Sequence, residues 1–395
     1  MMSRKLPVLP LQLQRAALCL LLLCAATLAF DQPVQPTESL AFQRATHVRR
    51  GINLSMWYAQ APEYSAERLA SFTTPGDFRL IKSLGFDHVR LSINPEPLIA
   101  ENSGSPDKRV VTLRPDAMAR LDQTVSQITA TGLVLILDIH PEKEYQQTLA
   151  RGDQGVASFL AFWKTFAAHF AGSDPRQVYF EVLNEPAMAD NTRWAGIQAR
   201  AVAIIRAATP RHTVIATGGE WGGIPGLLAI QPVHDDNVLY SFHDYDPMWF
   251  THQGASWAGQ EFSVLRNVPY PSSPATVGPI LNLETTASGK QGLTEYGQQR
   301  WNRQRIDAEI AGVAAWGAQH RVPVYCGEFG VFRDFADPAM RARWLHDMRD
   351  SLEAHHIGWD MWDYQGGFAL IVRINGQPKV DGPIATALGL KLVAP

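Results

Sequence analysis

Residues 133–140 read Leu-Val-Leu-Ile-Leu-Asp-Ile-His, and the first five side chains of this stretch are all aliphatic. A strand with one face in solvent alternates apolar and polar residues, whereas a strand covered on both faces is a continuous apolar run. The stretch therefore predicts a parallel strand that is buried on both sides and ends at His140.

Similar runs recur along the chain, and longer segments with helical periodicity separate them. The predicted strands are residues 50–55, 88–93, 134–140, 178–184, 213–218, 238–243, 322–328 and 358–364. The predicted helices are residues 77–84, 115–131, 156–170, 192–208, 223–230, 302–319 and 338–355. This alternation predicts an α/β fold, a single (β/α)8 barrel of the TIM type. The alternative is an open doubly wound sheet, but the G-x-G-x-x-G turn usual in that fold follows none of these strands.

The composition limits the classes of protein that this chain can belong to. Hydrophobic residues make up 46% of the 395 residues and charged residues 18%, which supplies a large core and excludes a disordered chain. The net charge of −3 lacks the basic excess of proteins that bind phosphate backbones, so we expect no nucleic-acid partner.

Residues 1–29 read as a secretory signal peptide, because basic residues precede an apolar run at 16–26 that is too short to span a bilayer. Thr27 and Ala29 supply the small residues expected before a cleavage site. An uncleaved membrane anchor and a lipoprotein modified at Cys24 are the alternatives. The signal predicts a secreted or periplasmic protein that has no contact with a membrane after cleavage.

The rest of the chain is interpreted as a short N-terminal tether or cover at 30–47 and one domain at 48–395. Within that domain, residues 246–300 lack a clear strand and are predicted to form a long loop. Insertions of this length are usually functional, and the aromatic residues of this one favour a wall of a binding cleft. A surface insertion without a role is the alternative.

Polar and aromatic side chains lie at or near the ends of six predicted strands. In an eight-stranded barrel, the carboxyl ends of the strands form the face that carries the active site. We therefore expect one site at the mouth of the barrel. The side chains concerned are Arg90, His140, Asn184, Glu185, His243, Tyr245, Glu328 and Trp362.

Two carboxylates, Glu185 and Glu328, are the strongest candidates for chemistry. Glu185 lies in Val-Leu-Asn-Glu-Pro at 182–186, and Glu328 lies in Tyr-Cys-Gly-Glu-Phe-Gly at 325–330. Cleavage of a glycosidic bond uses such a pair, one carboxyl to protonate the leaving oxygen and one to attack or to activate water. A salt-bridged surface glutamate is the alternative for each, but a position directly after a buried run is not typical of a solvated helix face.

These motifs together resemble glycoside hydrolase family 5, the cellulase family of retaining barrel glycosidases. Asn184-Glu185-Pro186 and the Gly-Glu-Phe-Gly around Glu328 carry the resemblance, which extends over about residues 50–364. The remaining matches are the strand-two arginine Arg90, the strand-three histidine His140, the strand-six pair His243 and Tyr245, and the strand-eight tryptophan Trp362.

The resemblance implies that Glu185 is the general acid/base and Glu328 the nucleophile of a catalytic domain. The acid must hold a proton at the working pH and the nucleophile must stay ionised. Arg90 and Tyr245 are donors of the kind that keep a carboxylate charged and oriented.

The resemblance also implies which side chains bind substrate. Asn184 would bond the sugar 2-hydroxyl, His140 and His243 would bond ring hydroxyls or orient the carboxylates, and Trp362 would stack beneath the sugar. The alternatives are satisfied core histidines and a tryptophan that only fills the core.

Trp57 and Trp221 follow strands one and five, and both are interpreted as sugar platforms, with packing as the alternative. Asp138 and Glu181 lie inside strands and are interpreted as buried structural partners.

From the resemblance we expect a secreted retaining β-glycosidase that hydrolyses β-glucan by double displacement. An endoglucanase-like enzyme for β-1,4-glucan is favoured, β-mannan and β-1,3-glucan are alternative substrates, and a catalytically inactive sugar-binding barrel is the alternative from another class. The expected partner is a β-linked oligo- or polysaccharide bound by a monomer. The resemblance implies no metal or organic cofactor. A metal-dependent hydrolase on the same barrel is disfavoured because no H-x-H ends strand one and no H-E-x-x-H occurs. A Ser-His-Asp acyl hydrolase is disfavoured because no G-x-S-x-G occurs.

Overall fold

The computed structural model describes residues 39–284 and 286–392 of the chain. The predicted signal peptide at 1–29 lies outside the described residues, as does the first part of the predicted tether. A compact unit begins at Leu40, ahead of the domain boundary predicted at residue 48.

The predicted TIM barrel is confirmed: eight parallel strands form a closed barrel in which neighbouring strands follow one another in chain order. Each predicted run overlaps one of these strands, and the bounds at 88–93 and 238–243 agree with the structure. The barrel strands are β1 (Arg50–Tyr58), β2 (His88–Ile93), β5 (Val134–Ile139), β6 (Val178–Glu181), β7 (Val214–Thr217), β8 (Val238–His243), β9 (Val324–Phe329) and β10 (Gly358–Met361).

Strand β5 is buried along its whole length, as its continuous apolar run predicts. Helices cover the outside of the barrel. The helices are α1 (Leu40–Ala45), α2 (Ala66–Ser71), α3 (Pro75–Leu84), α4 (Pro115–Thr129), α5 (Lys143–Arg151), α6 (Asp153–His169), α7 (Asn191–Ala208), α8 (Ile224–Leu228), α9 (Met248–Thr251), α10 (Gln260–Ser263), α11 (Pro274–Val277), α12 (Ala287–Gln299), α13 (Arg303–His320), α14 (Pro338–Ala354) and α15 (Gly382–Ala387).

Helix α3 illustrates how the sequence sets helix ends. The backbone N–H of Thr74 donates to the carboxylate of Asp77 at 2.8 Å, which closes a capping box, and Pro75 occupies the first turn. The helix stops at Gly85, which takes the left-handed conformation with φ 101°.

Two antiparallel hairpins lie outside the barrel and were not predicted. They pair β3 (Ile99–Ser103) with β4 (Val110–Leu113), and β11 (Ile371–Ile374) with β12 (Gln377–Val380).

Helix α1 packs against the amino-terminal end of the barrel. Ala41 and Val48 are buried in one cluster with Tyr179 and Ile215, which belong to barrel strands. The described part of the predicted tether is therefore a helix in contact with the barrel.

The insertion at 246–300 contains the four helices α9 to α12. Trp249 and Phe262 pack with their ring centroids 4.8 Å apart, and Phe250 and Tyr270 at 5.4 Å. The segment is therefore a packed helical subregion, whereas the sequence predicted a long loop.

Within the described residues, no helix combines the length and apolar character that crossing a membrane requires.

Candidate active site

The two predicted carboxylates meet at the carboxyl ends of their strands. Glu328 lies in β9, and Glu185 follows the end of β6. One carboxylate oxygen of each lies within 4.8 Å of the other and of a ring nitrogen of His243. Both line an open cavity of about 440 Å³ at the mouth of the barrel.

A glycine places Glu328 against strand β8. A Cβ atom at Gly327 would lie 2.6 Å from the Ser241 hydroxyl and 3.1 Å from Nε2 of His243. Real Cβ atoms essentially never approach closer than 3.0 Å. The absence of a side chain at this position therefore lets β8 and β9 pair with His243 and Glu328 side by side.

Arg90 organises the floor of the site from strand β2. Its Nη1 donates to Glu328 Oε1 at 2.6 Å and to Asn53 Oδ1 at 2.9 Å. On its other edge, Nε and Nη2 donate to the two carboxylate oxygens of Glu181 at 2.7 and 2.9 Å. This two-point contact fixes the plane of the guanidinium and so the direction from which Glu328 receives its hydrogen bond.

The surroundings of Glu328 favour its ionised form over that of Glu185. Burial raises the pKa of Glu328, and the positive charge of Arg90 opposes that rise. Both of its oxygens accept hydrogen bonds, one from Arg90 and the other from the Tyr245 hydroxyl at 2.7 Å. Donors that bond the charged form favour it, so of the two glutamates Glu328 is the one expected to stay ionised.

Glu185 occupies the more accessible position of the pair, with 32% of its side chain exposed. Loss of hydration raises its pKa, and the positive charge of Arg90 opposes that rise. Its Oε1 lies 3.0 Å from Nδ1 of His243, whose pKa burial lowers to about 4. Because this imidazole is neutral, it gives Glu185 no positive charge to stabilise the ionised form. When the two glutamates together hold one proton, we therefore place that proton on Glu185.

His140 and Asn184 are held beside the carboxylates by a closed chain of contacts. Asn184 accepts from Arg90 Nη2 at 2.9 Å, and its Nδ2 lies 3.1 Å from Nε2 of His140. Nδ1 of His140 lies 3.0 Å from Asp138 Oδ2, which is also 3.0 Å from Nη2 of Arg90. The interpretation of Asp138 and Glu181 as buried structural partners agrees with these contacts.

Trp362 forms part of the cavity wall beside His140. The two rings are stacked, with centroids 5.7 Å apart and an interplanar angle of 25°. The indole lines the same cavity as Glu185 and Glu328, so it is available to a bound sugar ring.

The prediction that Trp57 is a sugar platform is wrong. Trp57 is only 2% exposed, and its Nε1 donates to the carbonyl of Leu69 at 2.8 Å. It packs against Tyr58 and Phe78 under helices α2 and α3. The pairing of β1 with β2 shifts register between Leu54 and Tyr58, so the strand continues past its predicted end with the Trp57 side chain in the core.

Trp221, in contrast, is 62% exposed. Its backbone N–H donates to the carbonyl of Pro186 at 3.1 Å, which places Trp221 next to the segment that carries Glu185. This exposed indole remains a predicted sugar platform.

Several residues that line the cavity were not predicted from the sequence. They come from the end of β1 and from the loops after β8, β9 and β10, and the aromatic density of the insertion at 246–300 was the signal for one of them, Trp257. The additional lining residues are Met56, Gln60, His252, Trp257, Phe332, Asp363, Gly367 and Phe368.

Among the described residues, one group has the close spacing of metal ligands, namely Glu185, His243 and Glu328. Their closeness has another explanation, because His243 contacts Glu185 while Arg90 and Tyr245 occupy the oxygens of Glu328. The close spacing of this group therefore follows from hydrogen bonds within the chain.

Comparison with known proteins agrees with this geometry. The family model described as "Cellulase (glycosyl hydrolase family 5)" matches residues 46–365. Endoglucanase C of Acetivibrio thermocellus is 27% identical over 323 residues, which cover 80% of this chain and 91% of that protein. Endoglucanase 3 of Fibrobacter succinogenes is 26% identical over 370 residues, which cover 89% of this chain and 55% of that protein.

Solved structures show the same fold. Cel5A of Thermotoga maritima in complex with cellobiose superposes with a TM-score of 0.70 at 24% identity, covering 88% of this chain and 99% of that one. A structure of Cel5A in complex with mannotriose gives the same TM-score, identity and coverage.

Proposed function

We propose that this chain, which belongs to glycosyl hydrolase family 5 and is a glycosidase of that family, hydrolyses β-glucan with retention of anomeric configuration. One observation carries the stereochemical part of this proposal. Oxygens of Glu185 and Glu328 lie within 4.8 Å of each other. Retaining enzymes place the two carboxyl groups about 5–5.5 Å apart, whereas inverting enzymes need about 6.5–9.5 Å to admit a water molecule.

In the first step, Glu328 attacks the anomeric carbon while Glu185 gives its proton to the leaving oxygen. The carbon–oxygen bond to the leaving sugar breaks as the bond to Glu328 forms, which yields a covalent glycosyl-enzyme. Arg90 and Tyr245 orient Glu328 for this attack.

In the second step, Glu185 is ionised and takes a proton from water, which then displaces Glu328 from the anomeric carbon. The change of role requires that the pKa of Glu185 follow the charge of Glu328. The close spacing provides this coupling, because the negative charge of Glu328 disappears when it becomes an ester.

The substrate that we propose is a β-1,4-glucan. Relatives named endoglucanases align with 80% or more of this chain, and the cavity offers aromatic rings for stacking against sugars. β-Mannan is the second candidate, because the similar Cel5A structure is described in complex with mannotriose. We propose a secreted or periplasmic location on the basis of the signal-peptide pattern at residues 1–29.

The test is release of reducing sugar by residues 30–395 from carboxymethyl-cellulose, barley β-glucan, galactomannan and laminarin. Glu328→Gln should be inactive, while Glu142→Gln, which replaces an exposed carboxylate outside the cavity, should keep its activity. Proton NMR of the first product should show the β anomer. Release from galactomannan only would transfer the proposal to mannan, and an α anomer would refute retention. Binding without any turnover would indicate an inactive sugar-binding barrel.

A further inference from the structure

Below the cavity, three hydrogen bonds and one ion pair join four side chains in a closed ring, namely Arg90, Asn184, His140 and Asp138. Its contacts are Arg90 Nη2 to Asn184 at 2.9 Å, Asn184 to His140 at 3.1 Å, His140 to Asp138 at 3.0 Å, and Asp138 to Arg90 Nη2 at 3.0 Å. Nothing in the proposed chemistry uses Asp138, which is completely buried.

The direction of each hydrogen bond in this ring follows from one member. A guanidinium can only donate, so the Asn184 atom that faces Arg90 must be its oxygen. The amide nitrogen of Asn184 therefore faces His140 and donates to Nε2. Nε2 must then carry no proton, and in the neutral ring the proton sits on Nδ1, where it is donated to Asp138.

We propose that Asp138 is a positioning residue that locks His140 in the Nδ1–H tautomer and thereby fixes the amide of Asn184 with one N–H free to meet the substrate. If Nδ1 lost its acceptor, the proton could move to Nε2, where it would oppose the N–H of Asn184. The amide would then rotate away from the orientation that Arg90 and His140 impose. This role rests on the proposed function, in which Asn184 bonds the sugar next to the cleaved linkage.

Burial and charge agree with this assignment. Burial lowers the pKa of His140 to about 4, so the ring is neutral at ordinary working pH and one tautomer must be chosen. Burial also raises the pKa of Asp138, which reaches about 7 with Arg90 opposing the rise and Glu185 and Asp360 adding to it. Within the described chain, Oδ1 of Asp138 has no hydrogen-bond partner. A proton on Oδ1 therefore leaves Oδ2 free to accept, and the ring stays intact in both charge states of Asp138.

This asymmetry of Asp138 defines two informative substitutions. Asp138→Asn should keep the lock. The guanidinium of Arg90 carries only donors and lies 3.0 Å from Oδ2, so the new amide should keep its oxygen at that position. The amide nitrogen then takes the place of Oδ1. Asp138→Leu keeps the branching at Cγ but offers no acceptor, so it should release the lock. Asp360→Asn is the matched control, since it replaces another fully buried barrel carboxylate that is outside the ring.

The experiment measures the tautomer of His140 by long-range ¹H–¹⁵N correlation in protein labelled at histidine, with His140→Gln to assign the signal. We expect Nδ1–H in the wild type, in Asp138→Asn and in Asp360→Asn. In Asp138→Leu we expect a shift to Nε2–H together with a fall in kcat of about 10- to 100-fold, by analogy with metal-bound histidines that lose their orienting carboxylate.

Two results would overturn the proposal. One is Nε2–H or a protonated ring at His140 in the wild type, which requires no variant to fold. The other is Nδ1–H retained in a folded Asp138→Leu variant, whatever its kcat. Because the tautomer is read without substrate, failure of the proposed glycosidase substrate would leave this test unaffected.

Discussion

Replacing Tyr245 by phenylalanine removes a single hydroxyl from the site and leaves its aromatic ring. The ring packs edge-on against His252 and Phe368, with centroids 5.1 and 5.8 Å away, so the phenylalanine should keep the same position. The hydroxyl donates to Glu328 Oε2 at 2.7 Å, and that hydrogen bond is what the substitution deletes.

The size of the effect follows from the kind of hydrogen bond that is lost. A hydrogen bond to a charged group contributes about 1.5–3 kcal/mol, and each 1.4 kcal/mol corresponds to about a factor of ten. We therefore expect kcat/KM to fall about 10- to 150-fold in Tyr245→Phe. Arg90 still bonds the other oxygen of Glu328 at 2.6 Å, so activity should not vanish as it does in Glu328→Gln.

The sign of the pH effect is also determined. The hydroxyl bonds the ionised form of Glu328, so its loss raises the pKa of that carboxyl and moves the acidic limb of kcat/KM to higher pH. The assay is kcat/KM against pH on an aryl β-cellobioside. Tyr64→Phe serves as the control, because that hydroxyl lies 3.5 Å from the rim carboxylate of Glu142 and outside the cavity. An unchanged acidic limb with a loss below about threefold would refute the role given to Tyr245.

Three further outcomes are expected. Glu185→Gln should lower kcat by about 10²- to 10⁴-fold on cellotriose. With a dinitrophenyl glycoside it should still give a burst of the phenol, because that leaving group needs no acid. Loss of the burst would contradict the role of Glu185 as the acid. Trp57→Phe should lower the melting temperature without changing KM, because this indole is buried. Trp221→Ala should raise KM for long oligosaccharides without changing the melting temperature, because this indole is exposed. The reverse pattern would contradict both assignments. Burial disfavours the charged form of His88, but Asp360 and a second aspartate outweigh it and raise its pKa from 6.5 to about 10. The ion pair between His88 and Asp360 should stabilise the fold below pH 6.5 and lose its contribution as the pH rises towards 10. In Asp360→Asn, the free energy of unfolding measured in urea across this range should depend less on pH.

The barrel could be predicted from sequence because its strands are buried on both faces. Runs such as 134–140 leave no polar alternation, and strand β5 occupies residues 134–139 of that run. The two hairpins were not predicted for the opposite reason. Strand β3 is mostly exposed, and its sequence Ile-Ala-Glu-Asn-Ser at 99–103 carries no apolar run. Three of the four helices of the insertion, α9, α10 and α11, were not predicted because each has four residues, which is about one turn and too short to show a helical period.

The candidate site shows the same division. Side chains at strand ends could be placed together, because every parallel strand of a barrel opens on one face. Trp57 could not be placed, since its direction depends on a shift in the pairing of β1 with β2 rather than on any residue type. The contribution of Phe332 and Phe368 to the cavity lining could not be predicted from the sequence either, because it depends on how the loops after β9 and β10 fold over the mouth of the barrel.

Chemistry and specificity therefore have different structural supports in this barrel. Glu181 holds Arg90 by two hydrogen bonds inside the barrel, and Arg90 in turn orients Glu328, so the position of Glu328, the proposed nucleophile, is set by buried strands. The outer wall of the cavity is made by loops, with Trp257 packed edge-on against Phe332 at 4.9 Å. Removing one partner of a buried ion pair costs about 3–5 kcal/mol, whereas an exposed loop side chain can change at little cost to stability. Substrate preference can consequently change through the loops while the paired carboxylates and their donors stay in place.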